Sequence, residues 1–176
     1  MILALLLVAC GPTPDDVARA IRADNPVQRE DGAKIAANVD DPAVVDALVS
    51  VLADPSEPVR LRAVRSLADL GATSVGAALR ARLAAEESPA VRRALADALG
   101  RLGAVEAVPE LTAYVASFGD DDRAQLAGLW ALGALGAHGL QGEARTRALE
   151  MLVRRREATK DRSVRWVTSA ALRTFR

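Results

Sequence analysis

Apolar positions along the chain recur at three- and four-residue intervals. Val91, Leu95, Ala98, Leu99 and Leu102 form one stripe; Val105, Val108, Leu111 and Val115 form the next. That spacing predicts amphipathic helices, each with a face that must be covered. The pattern is itself repeated. PVRLRAVRSLADLGA (58–72) overlays AVRRALADALGRLGA (90–104), so that Val59, Arg60, Leu67, Leu70, Gly71 and Ala72 fall on Val91, Arg92, Leu99, Leu102, Gly103 and Ala104. The next copy is AQLAGLWALGALGA (124–137), and a further one, after a longer spacing, is SVRWVTSAALRTF (163–175). One step back, Pro26-Val27-Gln28 lies on Pro58-Val59-Arg60 and Ile35 on Leu67. Self-similarity at this period is the mark of stacked supersecondary units.

Each unit predicts two helices. The first opens on a polar residue followed by proline, at Asn25-Pro26, Glu57-Pro58 and Ser88-Pro89. A short polar side chain can accept from the orphan amides of the first turn, and proline there removes no needed donor. Gly71, Gly103 and Gly136 are expected to end these helices, where a positive φ suits glycine. Gly100 and Gly133 fall inside helices, where glycine costs about 1 kcal/mol against alanine, so a close helix contact is expected at each. Second helices are predicted over Val44–Leu52, Val75–Leu83, Val105–Val115 and roughly Glu143–Arg156, with a capping helix over Asp15–Ala23.

The D/S-P-x-V-R opening, the L-G-x-L-G ending and the second-helix Ala107-Val108-Pro109-Glu110-Leu111 resemble the HEAT repeat, in the short bacterial form of proteins resembling phycobilisome lyases. The resemblance covers 25–176. It implies an all-α, right-handed α-solenoid (a HEAT/armadillo-like superhelix) of about four to five helical hairpins over 15–176, with second helices lining a concave face. It also implies a ladder in which Arg60, Arg92 and Arg165 pair with aspartates of adjacent units, Asp54, Asp121 and Asp161 being the candidates. Edge repeats are expected to be irregular, because one of their faces meets water.

The first residues follow a different pattern. Ile2 to Ala9 are uniformly apolar and end at Cys10, the only cysteine. Eight residues cannot span a bilayer, which takes about 18 or more, but they match the apolar core of a secretory signal. Leu7-Val8-Ala9-Cys10 resembles the bacterial lipobox. The resemblance implies removal of 1–9, a diacylglyceryl thioether on Cys10, and a lipidated tether over 10–14. Gly11 after the cysteine resembles the pattern sorted to the outer membrane, facing the periplasm. No Lys or Arg precedes the apolar run, a departure from that pattern. The alternative is a cytosolic HEAT-repeat adaptor whose apparent signal is an accident of the start codon.

Composition narrows the classes. Hydrophobic residues make up 51% and aromatic ones 3%, which favours closely packed helices of small side chains. Acidic and basic residues balance at 23 each, so net charge selects no partner. The charges are nevertheless segregated: 14–54 has nine acidic residues against four basic, and 143–176 four against ten. Arg154-Arg155-Arg156, with Arg145, Arg147, Lys160 and Arg162, forms the densest basic cluster. Contact with anionic lipid or an acidic protein suits an exported chain better than nucleic acid does.

Catalytic chemistry needs converging titratable groups, and the sequence offers few. His138 is the one histidine and is expected in a solvent-facing turn. Asp120-Asp121-Asp122 lacks the ligand alternation of a calcium loop and reads as a helix cap. Glycines 133, 136, 139 and 142 lack the context of a phosphate loop. Trp130 and Trp166 fall on first helices and are expected in the core, which argues against a glycosylase-like cleft. The expectation is therefore a non-enzymatic protein–protein interaction scaffold, with a lyase-like or glycosylase-like enzyme or accessory as the alternative. No catalytic residue, metal, cofactor, nucleic acid or small-molecule substrate is expected. The partners expected are an unidentified protein and, through the lipid anchor, the membrane. Candidate docking residues are the polar second-helix positions Asp46, Ser50, Arg80, Arg82, Glu86, Glu106, Glu110, Tyr114, Arg147, Glu150 and Arg154.

Overall fold

A computed structural model describes residues 11–176; residues 1–9, expected to be a signal segment, and Cys10 lie outside the described residues. Among the described residues every regular element is helical, with ten α-helices and three short 3-10 turns. They form two compact units, divided between Ala72 and Thr73.

The first unit contains α1 (Pro14–Ile21), α2 (Pro26–Ala36), α3 (Pro42–Ser50) and α4 (Glu57–Asp69). Thr13, expected in the tether, caps α1: its Oγ1 accepts from the Asp16 amide at 3.2 Å, while the Asp16 carboxylate accepts from the Thr13 amide at 3.3 Å. α1 packs on α2 and α3, and α2 on α4. Gly32 makes the α1–α2 approach possible, since a Cβ there would lie 2.7 Å from the Ile21 amide nitrogen. The Ser66 hydroxyl donates to the Ala33 carbonyl at 2.6 Å, tying α4 to α2 inside the core.

The first repeat has a different register from the one the sequence suggested. Val27 is 63% exposed and Ile35 44%, whereas Val59 and Leu67 are fully buried. Proline is the misleading landmark, because Pro58 is the second residue of α4 while Pro26 is the first of α2. Counted from the caps Asn25, Ser56, Ser88 and Asp161, the equivalent arginines are Arg29, Arg60, Arg92 and Arg165, each donating its amide to the cap carbonyl. Ala36, fully buried, occupies the place of Leu67 and Leu99.

One rung of the expected arginine ladder forms through Arg29, whereas Arg92 and Arg165 donate to the Ser117 hydroxyl and the Thr159 carbonyl instead of an aspartate. The Arg29 Nε and Nη2 reach the two Asp54 oxygens at 2.7 and 3.0 Å, and its Nη1 donates to the Ala23 and Asp24 carbonyls. The Ser56 amide adds a bond to Asp54 at 2.8 Å. Burial alone would raise the Asp54 carboxyl, but the Arg29 and Ser56 bonds outweigh it and hold the group below its ordinary range. A carboxyl lowered in the folded state contributes stability above its unfolded pKa of about 3.9, and that contribution is lost as pH falls through the folded value. Urea unfolding at pH 6 should therefore find Asp54→Asn clearly less stable than wild type. The gap should narrow progressively as pH falls below about 4; a gap unchanged at acid pH contradicts the assignment.

The second unit contains α5 (Gly76–Ala85), α6 (Pro89–Arg101), α7 (Val108–Ala116), α8 (Leu126–Ala137), α9 (Gly142–Ala158) and α10 (Arg162–Arg173). First helices α6, α8 and α10 pack in chain order, and second helices α5, α7 and α9 lie against them. Gly100 and Gly133 mark the two close crossings. A Cβ on Gly100 would stand 2.7 Å from the Ala131 Cα, and one on Gly133 would stand 2.6 Å from the Ala171 Cβ.

Gly71 and Gly103 both close their helices at φ 65°. The following amides, Ala72 and Ala104, donate back to the Leu67 and Leu99 carbonyls, which satisfies acceptors the helix leaves open. Gly136 does not share this role. It lies within α8, where a Cβ would meet the Phe175 ring at 2.5 Å, and the positive φ moves on to Gly139. Trp130 and Trp166, expected in the core, are 46% and 70% exposed.

Candidate functional site

α7 and α9 run side by side in the second unit because their apolar stripes, Leu111 with Val115 and Ala148 with Leu152, are both buried. Between their outer faces lies a groove of about 420 Å³, lined by Pro109, Thr112, Ala113 and Ala116 from α7 and by Arg147, Glu150, Met151 and Arg154 from α9. A second hollow of about 260 Å³, lined by Val105, Glu106, Val108, Pro109, Glu143, Ala144 and Arg147, shares Pro109 and Arg147 with it. Arg147 thus stands at the junction, 2.6 Å from the Glu143 carboxylate.

Of the sequence-predicted docking residues, Glu106, Glu110, Arg147, Glu150 and Arg154 belong to α7, α9 and the turn before α7. Arg80 crosses from α5 to hold the Glu110 carboxylate, Nε at 3.1 Å and Nη2 at 2.9 Å. Its guanidinium is held above its ordinary pKa, chiefly by the Glu110 bonds. Asp46 and Ser50 are exposed on α3 of the first unit.

Two candidates point inward instead. Tyr114 is only 3% exposed. Its hydroxyl donates to the Ala124 carbonyl at 2.9 Å, its ring meets Phe118 edge-on at 5.0 Å, and the Arg92 guanidinium lies 5.1 Å from its centroid. Burial raises the Tyr114 phenol. Glu86 is also buried, accepting from Arg82 at 2.7 and 2.9 Å and from the Ser88 amide at 2.9 Å. It organises the turn into α6.

The basic run 154–156 divides by helix face. Arg154 and Arg156 are exposed, but Arg155 is buried. The Arg155 Nη2 donates to the Val115 and Phe118 carbonyls at 2.9 Å each, and its Nη1 pairs with Asp120. It therefore caps the carbonyl end of α7 from across the hairpin. The signal was present in sequence, since Ala148, Leu152 and Arg155 share one helical stripe.

The three aspartates have three separate tasks. Asp120 pairs with Arg155, and Asp122 accepts from the Ala124 amide at 2.8 Å. Asp121 accepts from the Lys160 and Asp161 amides at 2.5 and 3.0 Å and from the Thr159 hydroxyl at 3.0 Å. Those bonds, led by the Lys160 amide, hold the Asp121 carboxyl below its ordinary range. Asp121 therefore makes no arginine rung. Asp161 does meet an arginine, but it is Arg123, at 2.9 Å.

Among the described residues no three His, Cys, Asp or Glu side chains converge as metal ligands. His138 is exposed at the end of α8, against Gly103. The one hydroxyl in the groove, Thr112, donates to the Pro109 carbonyl of its own helix at 2.8 Å. No described helix is long and apolar enough to cross a membrane.

The stacked hairpins, the repeated caps and the glycine crossings define an all-α repeat solenoid. The family model for HEAT repeats matches residues 14–89 and 76–173, and the chain belongs to that family. No curated protein sequence matches it significantly. Among solved structures, a chain from the complex of CpcE and CpcF of phycocyanin lyase from Nostoc sp. PCC7120 is similar at a TM-score of 0.76 and 24% identity. The match covers 95% of this chain and 66% of that one, so this chain spans just under two thirds of its length. An engineered protein is similar at a TM-score of 0.69 and 20% identity, covering 92% of this chain and 78% of that one. At such identities the likeness establishes the fold.

Proposed function

We propose that this chain is a non-enzymatic scaffold that binds another protein along the α7–α9 groove. The observation that carries the reading is the division of labour along α9. Arg155 is fixed in the core, while Arg147, Glu150 and Arg154 are exposed around a groove containing Ala113, Ala116 and Met151. Apolar contact area ringed by charge is the anatomy of a protein-binding patch. The groove's one hydroxyl is engaged with its own helix, which favours binding over catalysis. Arg147→Glu together with Arg154→Glu should lower recovery of a co-purifying protein about tenfold, as loss of steering and rim charge does. Recovery equal to wild type overturns the groove as the docking surface.

The scaffold is further proposed to sit on the outer membrane, facing the periplasm, through lipid on Cys10. Mass spectrometry of the mature amino terminus should find an acylated Cys10 carrying a diacylglyceryl thioether. An intact Met1 rejects the anchor and leaves the docking reading to its own test.

A further inference from the structure

The second unit has another surface, formed by first helices α8 and α10, that the groove does not use. Here Trp130 and Trp166, the only two tryptophans, border one open apolar hollow of about 230 Å³ with Gly133, Ala134, Val167 and Ala170. The other aromatic rings of this unit are turned inward: Tyr114 and Phe175 are buried and Phe118 is half-buried. On α10, Arg162, Trp166 and Arg173 follow one another at helical spacing on the solvent side, and all three are exposed. The only acidic residue between 158 and 176 is Asp161. That carboxylate is engaged by the Ser163 and Val164 amides and by Arg123.

We propose that this tryptophan–arginine face docks on an anionic phospholipid surface. Indole rings favour the headgroup zone, where the apolar ring is sheltered and the N–H stays wet. Arginines beside them gain from negative headgroups. Folded monomers seldom leave paired tryptophans around an open hollow without a use for them. The chemistry fits lipid better than peptide. α8 and α10 satisfy their own backbone groups, so the face offers no strand edge or main-chain partner to an extended segment. A bilayer needs only the rings and the charges. The contact is separate from the Cys10 anchor and holds without it.

The test uses the full chain carrying Cys10→Ser, so that no lipid is attached, and follows intrinsic tryptophan fluorescence, which reports on this face alone. Vesicles of phosphatidylglycerol and phosphatidylcholine (1:3) should shift the emission to the blue, and brominated lipid should quench it. Pure phosphatidylcholine should do far less. Arg162→Ala with Arg173→Ala should weaken the vesicle affinity about fivefold per arginine, and 0.5 M salt should abolish most of it. Trp130→Ser with Trp166→Ser, at exposed positions that leave the fold intact by circular dichroism, should lower vesicle co-sedimentation at least as far. Reversing Arg147 and Arg154 should leave the blue shift unchanged. Emission indifferent to anionic vesicles overturns the proposal. So does a shift produced by soluble polyglutamate and not by vesicles, which assigns the face to an acidic polypeptide, or sedimentation that survives loss of both tryptophans.

Discussion

Leu99→Ala should destabilise the second unit by about 2–5 kcal/mol, the cost of deleting a fully buried leucine whose surroundings cannot close. Leu99 has no exposed surface, and its carbonyl accepts the Ala104 amide that ends α6. The neighbouring Gly100 already holds α6 at its closest approach to Ala131 of α8, so the layers cannot move inward to refill the space. For a chain of this length the loss corresponds to a fall in Tm of roughly 5–15 °C. Val153→Ala is the matched control, because Val153 is exposed on α9 and its truncation should move stability by no more than about 0.5 kcal/mol. Thermal melting of the three proteins decides it; equal midpoints contradict the core assignment.

Arg155→Met should cost about 2–4 kcal/mol, although methionine fills a similar volume. The substitution removes both guanidinium bonds to the Val115 and Phe118 carbonyls and the pair with Asp120, leaving the Phe118 carbonyl without that donor and the Val115 carbonyl with the Phe118 amide alone. Adjacent Arg154→Met should leave melting within about 0.5 kcal/mol of wild type and weaken partner capture instead. The two substitutions thus separate structure from recognition at neighbouring positions of one sequence run. If both melt alike, the guanidinium of Arg155 is not what ties α9 to α7.

The repeat, its hairpins and the closing glycines Gly71 and Gly103 were legible because a solenoid writes the same physical requirement again in each copy, 32 residues apart in the two best-matched units. Leu67 and Leu99, then Gly71 and Gly103, recur because each copy must bury one stripe and turn one corner. Where sequence and structure differ, the cause is local. In the first repeat proline is a false landmark, because it occupies different helical positions in α2 and α4; counting from the caps brings Arg29 and Ala36 into place. The exposure of Trp130 leaves no mark in the sequence because α8, LAGLWALGALGA, is apolar all round and offers no polar face to mark the outside. Trp166 was decidable: it lies five residues after its cap, as the exposed Arg93 does after Ser88.

The groove itself was half legible. Spacing identified Arg147, Glu150 and Arg154 as solvent-side positions of a second helix, and the structure gathers them opposite Ala113 and Ala116. Tyr114 has the chemistry of a docking residue, but its position three residues beyond Leu111 places it on the buried stripe. Arg155 is set apart from its neighbours by helical phase alone, since it shares the stripe of Ala148 and Leu152 while a run of three arginines reads as one charge. Asp54 was legible as a ladder aspartate, but its partner Arg29 is hidden by the proline alignment, which puts Gln28 where Arg60 stands.

Site-specific photo-crosslinking in the native cell tests the docking account most directly. A crosslinker replacing Ala113, exposed in the groove, should trap one discrete protein partner, and the band should disappear when Arg147 and Arg154 are both changed to Glu. The same crosslinker at Gln28, exposed on α2 of the first unit, should not trap it. A groove that traps nothing, or that traps the same protein after both charges are reversed, contradicts the account.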